Sequence, residues 1–498
     1  MKINELFSGI KCTIPETEAA ETTDVISVTY DSRKAGKGSL FICLVGVNSD
    51  GHDYAASAYE NGCRTFFTQK TLDLPEDAVQ IIAENTRSVL PYLSSNFYQH
   101  PERKLTLIGV TGTKGKTTTA LILRELLNKN AKACAYIGTN GIQYAGKNIE
   151  TPNTTPESLV LEASFHDMVE NGIKYVVMEV SSQALKYHRV DNLVFDTTIF
   201  TNLSVDHIGP GEHSSFEDYR DSKKRLFTEH HTSHIIYNLD DEYAGAMVDE
   251  NTTAEKISYS TADPSASYYA TDIKPWNDNG SSLGVQFVSH HNGEAQEIEA
   301  HFPGKFSVHN LLSTIAAAGI YGIDQPSCFK TLHDVHADGR FEVIKTGLPG
   351  RAFIIDYAHN GVSLTAALSI LKEHDPKRLI VIVGAVGGRT QSRRAEVGKA
   401  IDPLVDIAML TADEPNFEDP MNVINDIASV MHQCPKILKY PDREDAVRAA
   451  VRMSQPGDIF LFAGKGHETT QLIKGVHVPF SEKKILLDEA AKMIAESK

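Results

Sequence analysis

Gly112, Thr113, Lys114, Gly115, Lys116 and Thr117 follow the apolar run LTLIGV and precede the helical pattern TTTALILRELLNK. Strand, glycine-rich turn and helix form the context of a phosphate cradle. Backbone N–H groups and the positive helix end face the phosphates, Lys116 reaches the terminal oxygens, and Thr117 offers a hydroxyl to Mg²⁺. The leading glycine of the usual pattern falls at Val110, with Gly109 one place early. A ligand-free turn is the plainer reading, but turn chemistry alone does not ask for GKT. Downstream, MEVSSQAL places Glu179 and Ser181 at the carboxyl end of a strand, the edge where open α/β sheets bind ligands. A carboxylate there completes a Mg²⁺ shell beside Thr117, or is a solvated strand-end acid.

The segment FTNLSVDHIGPGEHSSFEDYRDSKKRLF supplies Asp206, His207, His213, Lys223 and Lys224. On a helix, Lys223 shares a face with Tyr219 and Phe227, at i−4 and i+4, and points inward. An inward lysine has a depressed pKa, and its neutral amine reacts with CO₂ to give a carbamate that ligates metal as a carboxylate does. The alternative is a surface lysine whose stem covers apolar neighbours. Near the end of the chain, DYAHN and AGKGHE each run from a strand into a loop, so Asp356, His359, Lys465, His467 and Glu468 converge on a cleft. For the histidines, polar loop residues are the alternative. Gly339-Arg340 reads as a hinge with a phosphate-facing guanidinium, or as a linker.

These groups need a large scaffold. The 498 residues correspond to roughly three domains at about 150 residues each. The punctuation divides them into a small α/β unit over 1–103, a doubly wound parallel-sheet unit over 104–338, and a second strand-helix alternation over 339–498 that lacks GxGxxG. The stretch near 258–301 reads as a β excursion. Hydrophobic residues make up 41% and charged residues 23%, so each unit can bury a core. A net charge of −17 excludes a nucleic-acid wrapper, and polyanion binding must be local. The six cysteines show no CxxC pair and no zinc spacing. MKINELFSGIKC has no apolar leader core, and LIVIVGAV from Leu379 falls far short of the ~20 residues of a membrane span. A cytoplasmic protein without membrane span or nucleic-acid partner is expected.

GTKGKT, NTTP (153–156), MEVSSQAL, FTNLSVDH, the YxxxK pair Tyr219 and Lys223, GKFSVHN (304–310), GRFE, DYAHN and AGKGHE occur in order along the whole chain. Together they resemble the Mur ligases, ATP-dependent enzymes that build the peptidoglycan stem peptide. The segment DSRKAGKGSLFICLVGVNSDGHDY, from Asp31, resembles the UDP-binding domain of the members that add the third residue. The resemblance implies a UDP-sugar domain (1–103), a central P-loop ATPase-like domain (104–338) and a Rossmann-like amino-acid domain (339–498). It implies that ATP phosphorylates the D-glutamate carboxylate of UDP-N-acetylmuramoyl-L-alanyl-D-glutamate, and that an amine then attacks the acyl phosphate. A role in cell-wall biogenesis, cell shape and division follows, with a monomer expected.

Carried over by motif, Gly112, Thr113, Lys114, Gly115, Lys116, Thr117 and Thr118, with Asn310, Arg340, Asp356 and His359, face ATP. Lys116, Glu179, His207 and Lys223, the last as N6-carboxylysine, form the catalytic set. Thr117, Glu179, His207 and Lys223 are the expected ligands of two Mg²⁺ ions, which would offset repulsion between the reacting anions. Ser32, Val47, Asn48 and Ser49 resemble the uridine-facing set. Asn153, Thr154, Thr155, Ser181, Tyr187 and Arg189 resemble contacts to the muramoyl peptide. Arg389, Asp413, Glu414, Asn416, Gly464 and Glu468 are the implied amino-acid set, with Arg389 on the α-carboxylate.

Members that use meso-diaminopimelate carry DNPR where this chain has Asp413-Glu414-Pro415-Asn416, and their arginine grips the distal carboxylate. Asn416 cannot do so. Acidic surroundings from Asp413, Glu414, Glu418, Asp419 and Glu468 lead instead to an expectation of L-lysine, with ornithine or meso-diaminopimelate as alternatives. Glu418 and Asp419 also read as plain loop solvation. Val386, Gly388, Thr390 and Gly361 depart from the family pattern. Two rivals remain: a folylpolyglutamate synthase, which lacks the first domain, and a regulatory protein that binds nucleotide and UDP-muramoyl peptide without forming a bond.

Overall fold

The structure is a computed structural model that describes all residues except 47–48, 210, 249–252, 279–281, 334, 389–390 and 497–498. The chain divides into two compact units, Met1–Tyr259 and Ser260–Lys498. The first unit opens with a four-stranded parallel sheet, Ser27–Thr29, Ser39–Ile42, Thr65–Thr68 and Val79–Ile82, in sequence order. Helix Ala55–Glu60 ends where Gly62 takes φ +98°, the left-handed residue that its position after the helix favours.

A larger sheet follows in the same unit. Its spatial order is Glu255–Ser260, Thr232–Asn238, Phe195–Phe200, Thr106–Thr111, Tyr175–Glu179, Cys134–Gly138, Gly141–Tyr144 and Lys147–Ile149. The first six are parallel; the last two add an antiparallel edge that a purely parallel expectation omits. Thr106–Thr111 is almost wholly buried because helices cover both faces of the sheet, which accounts for its unbroken apolar run. Its neighbours Phe195–Phe200 and Tyr175–Glu179 end level with it. Three chain segments therefore leave the sheet side by side at Gly112, Val180 and Thr201, where open α/β sheets bind ligands.

In the second unit the β excursion is an antiparallel meander of Tyr268–Asn277, Leu283–His291 and Glu294–Ala300, with a bulge between Thr271 and Lys274. Helix Lys305–Ile320 follows. A six-stranded sheet comes next in the order Glu342–Val343, Ala352–Asp356, Asp458–Ala463, Arg378–Val383, Ile407–Thr411, Lys436–Tyr440, parallel except for the first strand. Separate apolar cores cover its two faces, one around Leu364, Leu368 and Val397, the other around Val447, Phe460 and Leu486. The loops DYAHN, DEPN and AGKGHE leave the carboxyl ends of neighbouring or next-neighbouring strands. All six cysteines are free thiols. Among the described residues no helix is long and apolar enough to cross a membrane.

Candidate active site

The phosphate loop is built by close approach. Gly112 takes φ +149°, and a Cβ there would collide with Thr201 Oγ1. Gly115, at φ +85°, starts helix Lys116–Lys129 in the left-handed conformation. Lys116 Nζ donates to the carbonyls of Gly112 (2.9 Å) and Thr113 (3.0 Å), curled over the turn. Thr113 N donates to Asn202 O at 2.8 Å, and Lys114 N to Asn202 Oδ1 at 2.9 Å. Lys114 Nζ turns to the Asp206 carboxylate at 3.1 Å. Thr118 lies in the first turn of the helix.

Glu179 is fully buried at the end of its strand. Its Oε2 accepts from Thr117 Oγ1 at 2.9 Å, and its Oε1 from Tyr136 OH at 2.6 Å and Thr139 N at 2.9 Å. A Cβ on Gly138 would strike both Glu179 Oε1 and the Tyr136 hydroxyl, so that glycine is part of the carboxylate's seat. Lys223 is 1% exposed, donates to Gly112 O at 2.9 Å and lies 4.6 Å from the Tyr219 ring centroid. Burial pushes its amine well below the ordinary lysine range, and the nearby Lys116 charge adds to that. A neutral amine is the form that takes up CO₂. Tyr219 OH donates to Thr113 Oγ1 at 3.1 Å, tying the Lys223 helix to the loop.

Among the described residues no three His, Cys, Asp or Glu side chains group as metal ligands. Of the four expected ligands, Thr117 and Glu179 are hydrogen-bonded to each other and Lys223 lies on Gly112 O of the same loop. His207, at φ +54°, is half exposed and faces Glu212 Oε1 at 3.1 Å. The buried histidine is His213, whose Nε2 meets Ser182 Oγ at 2.9 Å and whose Nδ1 lies 3.4 Å from Asp218 Oδ1. Thr117 and Glu179 do present two oxygen donors side by side at the phosphate loop, the hard ligand type that Mg²⁺ takes, so this pair fits the ion.

Beside the loop, Thr155 Oγ1 donates to Glu179 O at 2.8 Å and accepts from Ser181 N at 3.0 Å. Thr154 Oγ1 meets Thr139 Oγ1 at 3.3 Å, with Asn153 partly buried next to it. Ser181 caps helix Ser182–Lys186, which leads to Tyr187 and Arg189. Arg189 donates to Glu157 Oε1 (2.9 Å) and Thr155 O (3.0 Å). Of the uridine-facing set, Ser32 accepts from Asn61 Nδ2 through its carbonyl at 2.9 Å, and Ser49 is exposed; Val47 and Asn48 lie outside the described residues.

In the second unit, a cavity of about 140 Å³ is lined by Tyr357, His359, Arg393, Asp413, Glu414, Gly464 and Glu468, among others. Asp356 is buried beneath it and accepts from Phe341 N and Ala358 N, each at 2.8 Å. Burial pushes the Asp356 carboxyl up, and the Arg340 charge opposes that. Arg340 lies 4.7 Å from the Tyr357 ring centroid. Gly339 takes φ +68°, and a Cβ there would collide with His467 N. Asn310 is buried in helix Lys305–Ile320.

Lys465, with its side chain fully buried, faces Glu468 (2.5 Å), Glu414 (3.4 Å) and Asp413 (3.8 Å). The acidic pocket thus already holds one cation against three carboxylates. Glu418 is committed to Arg394 at 2.6 Å, and Asp419 caps helix Pro420–Ala428, so neither adds free negative charge. Asn416 is not in the cavity wall. At φ +50° it anchors the hairpin of Thr470–Ile473 and Val476–Pro479: its N donates to Leu472 O (3.0 Å), its O accepts from Lys474 N (2.8 Å), and its Oδ1 accepts from Gly475 N (2.9 Å). Arg389 lies outside the described residues. Arg393, four residues on, lines the cavity, is exposed, and has no ion pair among the described residues.

A phosphate loop on a central parallel sheet, with a buried carboxylate and a buried lysine beside it, defines a nucleotide-dependent group-transfer enzyme. The description "Mur ligase middle domain" matches residues 110–318, "Mur ligase, glutamate ligase domain" 339–466, and "Mur ligase family, catalytic domain" 24–98. A UDP-N-acetylmuramoyl-L-alanyl-D-glutamate--2,6-diaminopimelate ligase of Caldanaerobacter subterraneus subsp. tengcongensis is 36% identical, with 99% of each chain covered. The protein of the same name in Clostridium perfringens is 35% identical over 98% of this chain and 99% of its own. A solved structure of a ligase of that name superposes with a TM-score of 0.71 at 25% identity, covering 99% of both chains. The chain belongs to the Mur ligase family, and it is an ATP-dependent, ADP-forming peptide ligase. The lysine expectation finds no support among these relatives, whose names specify 2,6-diaminopimelate.

Proposed function

We propose that this ligase joins meso-2,6-diaminopimelate to the D-glutamate of UDP-N-acetylmuramoyl-L-alanyl-D-glutamate, in peptidoglycan synthesis in the cytoplasm. The observation that carries the reading is full-length similarity to ligases named for that reaction. The cavity agrees in charge: Asp413, Glu414 and Glu468 suit ammonium groups, and Arg393 suits a carboxylate of the incoming amino acid. The reading assigns UDP sugar, ATP and amino acid to domains at 1–103, 104–338 and 339–498, and one family match falls within each of these ranges.

In this reading Lys116 exchanges its two loop carbonyls for phosphate oxygens, while Thr117 and Glu179 hold Mg²⁺. A second ion would be held by Glu179, His207 and carbamylated Lys223. Bound Mg²⁺ supplies charge neutralisation between the carboxylate and the phosphoryl group. Tyr136 and Thr139 hold the Glu179 carboxylate in one orientation. Ser181, Thr155 and Arg189 position the muramoyl peptide, and Asn310, Arg340, Asp356 and His359 serve the nucleotide. The same reaction with L-lysine is the second reading, favoured by Asn416, which offers no guanidinium to a distal carboxylate.

Phosphate release with the UDP-muramoyl dipeptide, ATP and each of diaminopimelate, lysine and ornithine tests the proposal. Turnover with diaminopimelate supports it. Turnover with lysine alone replaces it by the second reading, and nucleotide binding without turnover favours a regulatory protein.

A further inference from the structure

Helix Thr86–Phe97 begins between the two segments read as binding the ends of the nucleotide sugar, and its first turn carries Arg87. Asn85 Oδ1 accepts from Arg87 N at 2.9 Å and Ser88 N at 3.3 Å, so the backbone there is fixed. Arg87 Nε donates to Val45 O at 2.6 Å, just ahead of the uridine-facing residues. Its Nη1 is 3.4 Å from both oxygens of Glu157, and its guanidinium carbon is 5.5 Å from the Tyr187 ring centroid.

Glu157 also accepts from Arg189. One carboxylate therefore faces two guanidinium groups, which leaves one positive charge uncompensated. The side chains of Arg87, Glu157 and Arg189 are only 19%, 15% and 9% exposed, so that charge is weakly screened. Tyr30, next to Asp31 and Ser32, feels the same group electrostatically: burial and Glu157 push its hydroxyl up, and Arg189 and Arg87 oppose them. Arg87 Nη2 makes no hydrogen bond among the described residues.

We propose that Arg87 binds the diphosphate of the nucleotide-sugar substrate. The diphosphate joins the uridine to the muramoyl group, and Arg87 lies between the segments assigned to those two ends. A guanidinium held through Nε by Val45 O and through Nη1 by Glu157 leaves the two N–H groups of Nη2 for phosphate oxygens. The inference rests on the substrate reading given above.

The test uses the full-length protein and titration calorimetry with UDP and with uridine. Arg87→Gln keeps a donor for Val45 O but removes the charge; it should weaken UDP about tenfold or more and leave uridine within about twofold. Arg87→Lys, which keeps the charge without the guanidinium N–H groups, should fall between wild type and Arg87→Gln for UDP. Equal weakening of UDP and uridine by both variants would reduce Arg87 to a prop for the Val45 loop and overturn the inference. Unchanged UDP affinity would overturn it too, while leaving the substrate reading intact. If the wild-type protein bound neither UDP nor the UDP-muramoyl dipeptide, the substrate reading and this inference would fall together.

Discussion

Glu162 and Glu102 form a buried acid pair whose effect on stability can be worked out from their surroundings. Glu162 is fully buried in helix Ser158–Glu170, and its Oε1 accepts from Asn192 Nδ2 at 2.6 Å. Glu102, in the turn Pro101–Lys104, is 6% exposed; its Oε1 accepts from Ser95 Oγ at 2.8 Å, with Arg103 at 3.5 Å and His100 at 3.7 Å. The Oε2 atom of each is buried without a hydrogen-bond donor, an arrangement that only a carboxyl proton relieves. Burial first, then the Glu102 charge, push Glu162 up to about 9.

The folded-state pKa is raised, so the stability from keeping Glu162 protonated is complete below its ordinary value. That stability is lost as pH climbs toward about 9. Between pH 6 and pH 8 the unfolded chain ionises Glu162 and the fold does not. At about 1.4 kcal/mol per pH unit the fold loses about 2.7 kcal/mol. Glu162→Gln donates to Glu102 at every pH and removes that loss. Scanning calorimetry should show the melting temperature of the variant rising relative to wild type by roughly 5–10 °C between pH 6 and pH 8. Parallel melting curves for the two proteins over that range would refute the shared-proton account.

Lys223→Ala should lower kcat by ~10²-fold or more, with partial rescue by short carboxylic acids that stand in for a carbamate; wild-type turnover without rescue would remove Lys223 from the reaction. Arg443, fully buried, donates to Glu482 at 2.9 Å and to Ala463 O at 2.8 Å. Arg443→Met should therefore cost about 3–5 kcal/mol in urea unfolding by stranding the Glu482 charge. The double variant with Glu482→Leu should recover most of that, and purely additive losses would contradict the pairing. Asn416→Arg removes the bond to Gly475 N and brings a cation to the edge of the pocket, so KM for lysine should rise and KM for diaminopimelate should fall. Unchanged values for both would place Asn416 outside amino-acid recognition altogether.

Much of the phosphate loop was legible because its information is local: the apolar strand, the GKT turn and the helix are consecutive, and Lys223 sits at helical spacing from Tyr219 and Phe227, all three buried. The displaced Gly109 has a packing reason, since a Cβ there would press on Phe195 and Val180. Tyr136 and Thr139, which hold Glu179, left no trace, because they come from a strand some 40 residues away that no local pattern links to the carboxylate. The charge balance of the amino-acid pocket is non-local in the same way. Lys465 is folded among Asp413, Glu414 and Glu468, and Arg394 takes up Glu418, pairings that composition does not reveal. The positive φ of Asn416 and its bond to Gly475 N in the hairpin likewise leave no local signal in the sequence.

The central claim is that this Mur ligase forms an amide between the D-glutamate of the UDP-muramoyl dipeptide and diaminopimelate. Mass spectrometry of the product made from ATP, Mg²⁺, UDP-N-acetylmuramoyl-L-alanyl-D-glutamate and an equimolar mixture of diaminopimelate, lysine and ornithine tests it most directly. The diaminopimelate adduct should be the dominant species, with one ADP formed per product. A dominant lysine adduct, or ADP formed without any adduct, would contradict it.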